Sequence, residues 1–280
     1  MEGCLQQSQP FADFEVIVVD AEPRRSISTA IEQARKKANG ALDIQYLMID
    51  KASRAAFNNF GVAQAKAELI VFCCNDFVPN PKYLEAHLRF HEQHPEPQFV
   101  GIGPGMFPDH QRKVSVFLRW LEDSGKLFGF SFTDKDVKMP SSYFGVFNAS
   151  LKKDFFVEAG CFDECFPYPA WDDYEMGVRL TRNGMTSSLI PEAIAIHDHL
   201  VTFSERFQSV YRAGKSVAIF ARKANDRLVT KQPMWKYSLH RLGLLFGKRA
   251  TLRERFWELT LDGAFVWGYI WRFARGKTAA

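Results

Sequence analysis

Three short apolar runs separated by helical patterns constrain this chain most. They are FEVIVVD at residues 14–20, IQYLMID at 44–50 and AELIVFCCND at 67–76. Near-continuous apolar runs of this length, rich in β-branched residues, are typical of strands covered on both faces. The sequences between them, SISTAIEQARKKANG and AAFNNFGVAQAKA, predict helices, the first of which ends before Gly40. The alternation predicts an α/β fold, Rossmann-like, with a mostly parallel sheet flanked by helices.

An aspartate lies at or next to the end of each run. These residues are Asp20, Asp50 and Asp76. In open α/β sheets, ligands bind beyond the carboxyl ends of the strands. Aspartates also commonly begin the turn after a strand, so each one alone is compatible with a structural role. The three together indicate a ligand site at this edge of the sheet.

Composition excludes several classes of protein. With 280 residues, 46% of them hydrophobic, the chain is long enough for one main domain with appended elements. Its 36 basic and 32 acidic side chains leave a formal charge of +4 without a lysine-rich block, so we expect no nucleic-acid partner. Five cysteines without a CxxC pair predict neither a disulfide framework nor structural zinc, which favours the cytoplasm. No signal peptide or membrane span is predicted.

Two adjacent aspartates open the helical pattern PAWDDYEMGVRL at residues 169–180. One of them, Asp172 or Asp173, suits capping, because unpaired backbone N–H groups and the helix dipole favour a carboxylate there. Capping does not require the second acid, and an ionised carboxylate at a helix start can accept a proton from a hydroxyl. The sequence therefore predicts one capping aspartate beside one general base. Glu175 and Arg179, spaced i,i+4, predict a surface ion pair.

Two further motifs carry metal-ligand chemistry. Asn75 and Asp76 end the third strand, and one carboxylate there can hold a divalent metal that a diphosphate already carries. His197 and His199 follow an apolar run, and side chains two apart on an extended segment point the same way. A structural, hydrogen-bonded role for these histidines is the alternative.

The C-terminal part of the chain is helical, aromatic and basic. We expect a main α/β domain at residues 1–200 and a helical extension at 201–280. Aromatic and arginine side chains near the end suit a helix lying on a membrane surface, which predicts a peripheral protein on the inner face of the plasma membrane. Packing of the same aromatics onto the main domain is the alternative. These side chains are Trp267, Trp271, Arg272, Phe273 and Arg275.

In their order along the chain, these motifs resemble those of the family 2 glycosyltransferases of the GT-A type. FEVIVVD resembles the second strand of that family, and NNFGVAQAKAELIVFCCND resembles the stretch that leads into its DxD element. FNASLKKDFFVEAGCFDECF resembles the segment near the donor sugar, and WDDYEMGVRLTRNG resembles the ED motif. IHDHLVTFSERFQSVYRAGKS resembles the later histidine-containing segment. The resemblance covers roughly residues 4–222, and the ordered set is more specific than any single motif.

The resemblance implies an inverting, hexosyltransferase-type enzyme that uses a nucleoside-diphosphate sugar donor and Mg²⁺ or Mn²⁺. It implies that Asp173 is the general base, with Asp172 replacing the usual glutamate. A set of polar side chains would bind donor and metal. They are Asp20 at the nucleotide base, Asn59, Asn75 and Asp76 in the donor site, Asn148 at the donor sugar, and Asp76, His197 and His199 at the metal and diphosphate. By analogy the acceptor is a glycan or a lipid-linked glycan of the cell envelope.

Two departures from the family pattern keep alternatives open. Cys74 stands where the first DxD carboxylate is expected, and the family's first strand has no counterpart in the sequence. A sheet without that strand exposes an unpaired edge, unless another segment or a partner chain in a homo-oligomer covers it. The main alternative is a catalytically inactive nucleotide-binding or sugar-binding relative. A metal-dependent hydrolase, based on Asp76 and the HDH segment, is a third.

Overall fold

The computed structural model describes residues 1–50, 53–127, 144–223 and 251–276. The predicted strands and helices of the first hundred residues are confirmed as alternating elements. In chain order, the elements are α1 (Glu2–Leu5), β1 (Glu15–Asp20), α2 (Arg25–Lys37), β2 (Asp43–Met48), α3 (Arg54–Gln64), β3 (Leu69–Cys73), β4 (Phe77–Pro79), α4 (Tyr83–Gln93), β5 (Phe99–Ile102), β6 (Gly105–Met106), α5 (Asp109–Val114), α6 (Val116–Asp123), β7 (Asn148–Lys152), α7 (Lys153–Glu158), α8 (Asp172–Arg182), β8 (Thr186–Leu189), β9 (Ala195–His197), α9 (Phe203–Lys223) and α10 (Leu252–Gly276).

The first strand–helix–strand unit forms as its sequence predicts. β1 and β2 pair in parallel, from Glu15 opposite Asp43 to Asp20 opposite Met48, and α2 makes the crossover. The apolar face of α2 packs on the sheet, and the helix ends before Gly40, whose φ of +75° suits a residue without a Cβ. This unit carries Asp20 at the carboxyl end of its first strand.

The remaining strands form two mixed sheets. One has the order β3-β7-β5-β8, in which only β5 and β8 are parallel. The other is small, with the order β4-β9-β6, and pairs β4 with β9 in antiparallel orientation. The α/β fold class is confirmed, although half of the strand pairs are antiparallel. The small sheet carries two of the predicted site motifs, because Asp76 directly precedes β4 and His197 ends β9.

The expected gap in the sheet is present within the described residues. β1 pairs only with β2 and β3 pairs only with β7, so these two strands belong to different sheets. Helix α3 covers both: an ideal Cβ on Gly61 would lie 3.5 Å from Val19, and Val62 packs in the same core as Phe72 of β3. The N-terminal residues dock beside the gap, where Gln7 donates to the backbone oxygen of Asn80 at 2.8 Å. Pairing of the open edges with a second copy stays a prediction.

The C-terminal helices α9 and α10 pack tightly on each other and on the rest of the protein. An ideal Cβ on Gly214 would lie 2.0 Å from the Phe265 oxygen, and one on Gly268 would lie 2.0 Å from the Tyr211 oxygen, so the two backbones are in direct contact. An aromatic side chain of α10 outside the predicted set also packs against the core. Trp257 lies 5.4 Å from Trp120, centroid to centroid. The predicted boundary at residue 200 stays a prediction.

One side of α10 faces away from this packing. Its large apolar side chains there are Leu252, Phe256, Leu259, Trp267 and Ile270, all of them exposed. The side chains of Phe273 and Arg275 lie outside the described residues. No helix in the described part of the chain combines the length and the apolar character needed to cross a membrane.

Candidate active site

The small sheet brings Asp76 and His197 together across 121 residues of chain. β4 and β9 pair with Phe77 opposite His197, and the Asp198 N–H donates to the Asp76 backbone oxygen at 2.9 Å. The Asp76 Oδ2 then lies 3.3 Å from the His197 Nε2. The carboxylate is 45% exposed, whereas the imidazole is 8% exposed. The His197 hydrogen bond lowers the pKa of Asp76, which keeps the carboxylate ionised.

Aromatic rings fix the orientation of His197. Its ring packs edge-on against Phe77 at 4.9 Å and against Phe107 at 5.5 Å, centroid to centroid. His199 lies 5.8 Å away by the same measure, but it is exposed and its Nε2 lies 3.5 Å from Glu205. The two histidines are therefore neighbours with different partners, and the metal-binding role of His199 stays a prediction.

The donor set at Asp76 and His197 fits a metal that arrives with its own ligands. Within the described ranges, no group of three or more His, Cys, Asp or Glu side chains is arranged to hold a metal ion. Mg²⁺ and Mn²⁺ are commonly held by one or two protein ligands, with phosphate oxygens and water completing the shell. One exposed carboxylate beside one imidazole is compatible with that arrangement.

The start of α8 is built differently from the prediction. The residue that caps this helix is Trp171, and it makes no side-chain capping hydrogen bond. Asp172 instead forms a two-point ion pair with Arg54 of α3, with one N–H···O distance of 3.0 Å. Neither aspartate is the N-cap residue, but the Asp173 carboxylate does accept one free N–H of the first turn, as was predicted for one of the two. The Asp172 carboxylate is buried, and the bidentate pair with Arg54 compensates its charge. A capping carboxylate at an exposed helix end would not need such a partner.

Asp173 lies at the edge of the same cluster. Its Oδ2 is 3.3 Å from the Arg54 Nη2, its Oδ1 accepts the Tyr174 N–H at 3.0 Å, and the side chain is 26% exposed. Burial raises the pKa of Asp173 and the Asp172 charge raises it further, while the Arg54 guanidinium opposes both. A partly exposed carboxylate with a raised pKa is suited to accept a proton near neutral pH.

Cys74 connects the two groups of acids. Burial raises the pKa of its thiol to about 12, and the negative charges of Asp76, Asp173 and Asp172 raise it as well, while Arg54 lowers it. All four charged side chains are therefore close enough to act on one sulfur atom. Burial keeps the Cys74 thiol protonated, and the thiol donates to the Val146 oxygen at 3.8 Å.

The Asn148 side chain is buried and hydrogen-bonded within the core. Its Nδ2 donates to the Pro104 and Ala193 oxygens at 3.1 and 2.7 Å, and its Oδ1 accepts the His87 Nε2–H at 2.9 Å. All of its amide groups are used in the core. These surroundings do not support the predicted contact of Asn148 with a donor sugar. The sequence identified a polar residue but could not indicate that its side chain points into the core.

The other predicted donor-site residues, Asn59, Asp20 and Asn75, have different surroundings. The Asn59 amide braces the loop before α8, since it donates to the Phe162 oxygen at 2.9 Å and accepts the Phe162 N–H at 2.8 Å. Asp20 accepts the Ala21 N–H at 2.8 Å and so caps the turn after β1. Asn75 is exposed beside Asp76. None of the hydrogen bonds or ion pairs described here joins Asp20 or Asn59 to the cluster around Cys74, and their donor-binding roles stay predictions.

A buried polar chain supports the small sheet from behind. Because the Asn148 Oδ1 can only accept, the His87 Nε2 must carry the proton, and the His87 Nδ1 must accept from Ser150, 2.8 Å away. The Ser150 hydroxyl in turn accepts from the His91 Nε2 at 2.9 Å. The chain ends on the backbone of Pro104 and Ala193, next to β6 and β9, so it helps to position His197.

The C-terminal helices hold the start of α8. Trp171 has a φ of +72°, an uncommon value for a residue with a Cβ. Its indole N–H donates to the Ala213 oxygen at 3.0 Å, and its ring stacks on Phe220 at 5.3 Å. Further along α8, Arg179 and Glu175 form the predicted ion pair at 2.8 Å, but Glu175 is buried and the pair is not on the surface.

The sequence is similar to characterised transferases. A family model described as Glycosyl transferase family 2 matches residues 1–156. A hyaluronan synthase from Pasteurella multocida is 26% identical over 227 residues, which cover 70% of this chain and 22% of the synthase. The chain spans between about a fifth and about half of the length of the curated relatives it matches.

Two solved structures that share the fold are a mannosyltransferase and TarS. The mannosyltransferase PcManGT from Pyrobaculum calidifontis gives a TM-score of 0.60 at 13% identity, covering 97% of this chain and 81% of its own. S. aureus TarS 1–349 in complex with UDP gives a TM-score of 0.57 at 14% identity, covering 95% and 75%. The fold class expected from the sequence is therefore confirmed. Because the family model matches more than half of the chain, this protein belongs to glycosyl transferase family 2.

Proposed function

We propose that this protein is an inverting glycosyltransferase of the hexosyltransferase type that transfers a sugar from a nucleoside diphosphate to an acceptor hydroxyl. The observation that carries the proposal is the meeting of two differently equipped acidic groups around Cys74. In one group, the Asp76 carboxylate lies beside the His197 imidazole, and this pair is suited to bind a divalent metal that carries a diphosphate. The other, Asp173 beside Arg54, is a partly exposed carboxylate suited to accept a proton.

The reaction follows from these two groups. Asp173 accepts the proton of the acceptor hydroxyl while that oxygen forms a bond to the anomeric carbon of the donor sugar. The bond from this carbon to the diphosphate oxygen breaks on the opposite face, which inverts the configuration without a covalent enzyme intermediate. When bound at Asp76 and His197, Mg²⁺ or Mn²⁺ would neutralise charge on the departing diphosphate.

The donor and acceptor classes come from the relatives. PcManGT was solved with GDP-Man and Mn²⁺, and TarS with UDP, so we propose a GDP-linked or UDP-linked sugar as donor. Asp20 and Asn75 are the proposed nucleotide-side contacts. The similarity to a hyaluronan synthase supports a glycan or lipid-linked glycan of the cell surface as acceptor.

A transfer assay with paired variants tests the role of Asp173. The purified protein is incubated with UDP-linked and GDP-linked sugars, Mn²⁺ and a panel of glycan acceptors, and released nucleotide is measured. We expect Asp173→Asn to lower kcat by about 10²-fold to 10⁴-fold, because a general base contributes about that much. The control is Asp123→Asn, which changes an exposed aspartate at the end of α6. Equal activity of Asp173→Asn and the parent protein would remove Asp173 from the mechanism.

Calorimetry separates the active enzyme from an inactive relative. We expect UDP or GDP to bind more tightly with Mn²⁺ than without it, and Asp76→Asn to abolish that difference. Nucleotide binding by a protein that never turns over any donor would favour the inactive relative, which the missing DxD carboxylate at Cys74 supports. Absence of binding to either nucleotide would contradict both functions.

The exposed apolar row on α10 supports a second proposal, peripheral attachment to an anionic membrane on its cytoplasmic face. Leu252, Phe256, Leu259, Trp267 and Ile270 follow one side of the helix, and an ideal Cβ on Gly263, in the same row, would meet no other atom within 4 Å. An apolar helix side with tryptophan, on a protein of formal charge +4, is suited to an anionic bilayer surface.

Vesicle sedimentation tests this attachment. We expect binding to vesicles that contain phosphatidylglycerol and weaker binding to pure phosphatidylcholine. Trp267→Ser with Ile270→Ser should abolish binding without unfolding the protein, since these side chains are 58% and 57% exposed. Equal sedimentation of this variant and the parent protein would contradict the proposal.

A further inference from the structure

The backbone of Arg54 is held by contacts that do not involve a carboxylate. It is the first residue of α3, whose preceding residue, Ser53, caps the helix by accepting the Ala56 N–H at 3.1 Å. The next turn of the helix is anchored in the main core through Ala55 and Val62. The guanidinium therefore projects from a rigid backbone toward the start of α8, 118 residues further along the chain.

The Arg54 guanidinium makes more contacts with Asp172 than with Asp173. Its Nε and Nη2 both bind Asp172, whose side chain is 2% exposed. Nη2 also lies 3.3 Å from the Asp173 Oδ2. Asp172 thus fixes the plane of the guanidinium, and the remaining interaction acts on Asp173 alone. A lysine ammonium at this position would lack the planar fork that makes two such contacts at once.

Arg54 also opposes the charge that Asp172 would otherwise impose. The titratable groups near Asp173 are Asp172 on its own helix, Arg54 on α3 and the protonated Cys74 after β3, which also lies near Asp76. Two adjacent carboxylates in a partly buried site favour protonation of one of them. A cation in contact with both carboxylates opposes that tendency at Asp173.

We propose that Arg54 is a positioning residue that keeps Asp173 deprotonated and directed toward the hydroxyl of the acceptor, from which Asp173 takes the proton. Asp172 fixes the orientation of the Arg54 guanidinium. This inference rests on the proposed role of Asp173. It also explains why an acid at position 172 is needed beside the base, although it neither caps the helix nor is exposed enough to meet substrate.

The experiment has a chemical and a catalytic readout. The midpoint of the Asp173 carboxyl titration is measured by ¹³C NMR in the nucleotide-free protein, with Asp173→Asn used to assign the signal, and the pH profile of kcat/KM is measured in parallel. Arg54→Met should move both the NMR midpoint and the acidic limb of the profile upward by at least one pH unit. Arg54→Lys should restore part of this shift.

Two further variants guard against a purely structural effect. Arg54→Met combined with Asp172→Asn removes the buried pair together, which avoids an unpaired buried carboxylate, and should return the midpoint toward the parent value. Arg112→Met breaks an arginine–carboxylate pair with Glu122 outside the site and should move neither readout. Unchanged midpoints in folded Arg54→Met protein would overturn the proposal. If Asp173→Asn remains active, the proposed function fails, but the NMR titration still tests Arg54.

Discussion

The buried histidine pair makes the stability of this protein depend on pH. Burial lowers the pKa of both His87 and His91 to about 4, from an ordinary value of 6.5. In the folded state each ring carries one proton, and Ser150 lies between the two rings as donor to one and acceptor from the other. A second proton on either ring has to break this chain or enter the core without a partner. The unfolded chain has no such restriction.

The size of the effect follows from proton linkage. Between about pH 6.5 and pH 4, the unfolded chain binds more protons than the folded protein, so the free energy of unfolding falls as the pH falls. With pKa values of about 6.5 and about 4, each histidine loses roughly 2 kcal/mol of stability between pH 7 and pH 5, and the pair loses roughly 4 kcal/mol. This is a large part of the typical total of about 5–15 kcal/mol. The loss from the pair levels off about one pH unit below the folded-state pKa of about 4.

Urea unfolding at pH 5, 6, 7 and 8, followed by tryptophan fluorescence, measures this loss. His91→Leu should remove about half of it, roughly 2 kcal/mol between pH 7 and pH 5. This variant is chosen because Ser150 keeps His87 as its acceptor. His110→Leu, which changes an exposed histidine and leaves the buried pair intact, is the control. A loss between pH 7 and pH 5 that is the same in His91→Leu and the parent protein would refute the reasoning.

Three substitutions in the C-terminal half test how the site is supported. Gly268→Ala would place a Cβ 2.0 Å from the Tyr211 oxygen and should lower the free energy of unfolding by about 1–3 kcal/mol or more. Gly263→Ala, on the same helix but with open space around it, should instead raise it by roughly 0.5–1 kcal/mol, so thermal melts should shift in opposite directions. Trp171→Phe keeps the ring stack but removes the hydrogen bond to Ala213, and it should cost about 1 kcal/mol of stability and lower kcat more than it raises KM. Equal kcat in this variant and the parent protein would show that the bond does not direct the start of α8.

Local sequence pattern was sufficient for β1, β2 and β3 and for the two helices between them, whereas α1 and β4 were not predicted. The β-branched runs at β1, β2 and β3 and the apolar periodicity between them depend only on near neighbours, and Gly40 ends α2 through its own conformational freedom. The pairing of those strands depends on distant segments. β3 pairs with β7, almost eighty residues further along, and no local feature of FCCND indicates an antiparallel partner.

In the candidate site, too, some features could be predicted from the sequence and others depend on distant segments. The meeting of Asp76 and His197 was implied by the family resemblance, and the structure places the Asp76 Oδ2 3.3 Å from the His197 Nε2. Arg54 was not identified, since a single cation at a helix start has no spacing signal and its partner lies 118 residues away. The left-handed conformation of Trp171 was equally hidden, because PAWDD contains no glycine to indicate it.

The two acidic groups of the site rest on separate supports. Asp76 and His197 depend on the small sheet and, behind it, on the buried chain from His91 to Asn148. Asp173 depends on α8, whose start is held by Arg54 on one side and by α9 and α10 on the other. Because these supports lie on different elements, changes behind the small sheet should weaken diphosphate binding, and changes behind α8 should slow proton transfer. The proposed transfer needs both groups at once, and on this proposal the packing of α9 and α10 against Trp171 serves the group on α8.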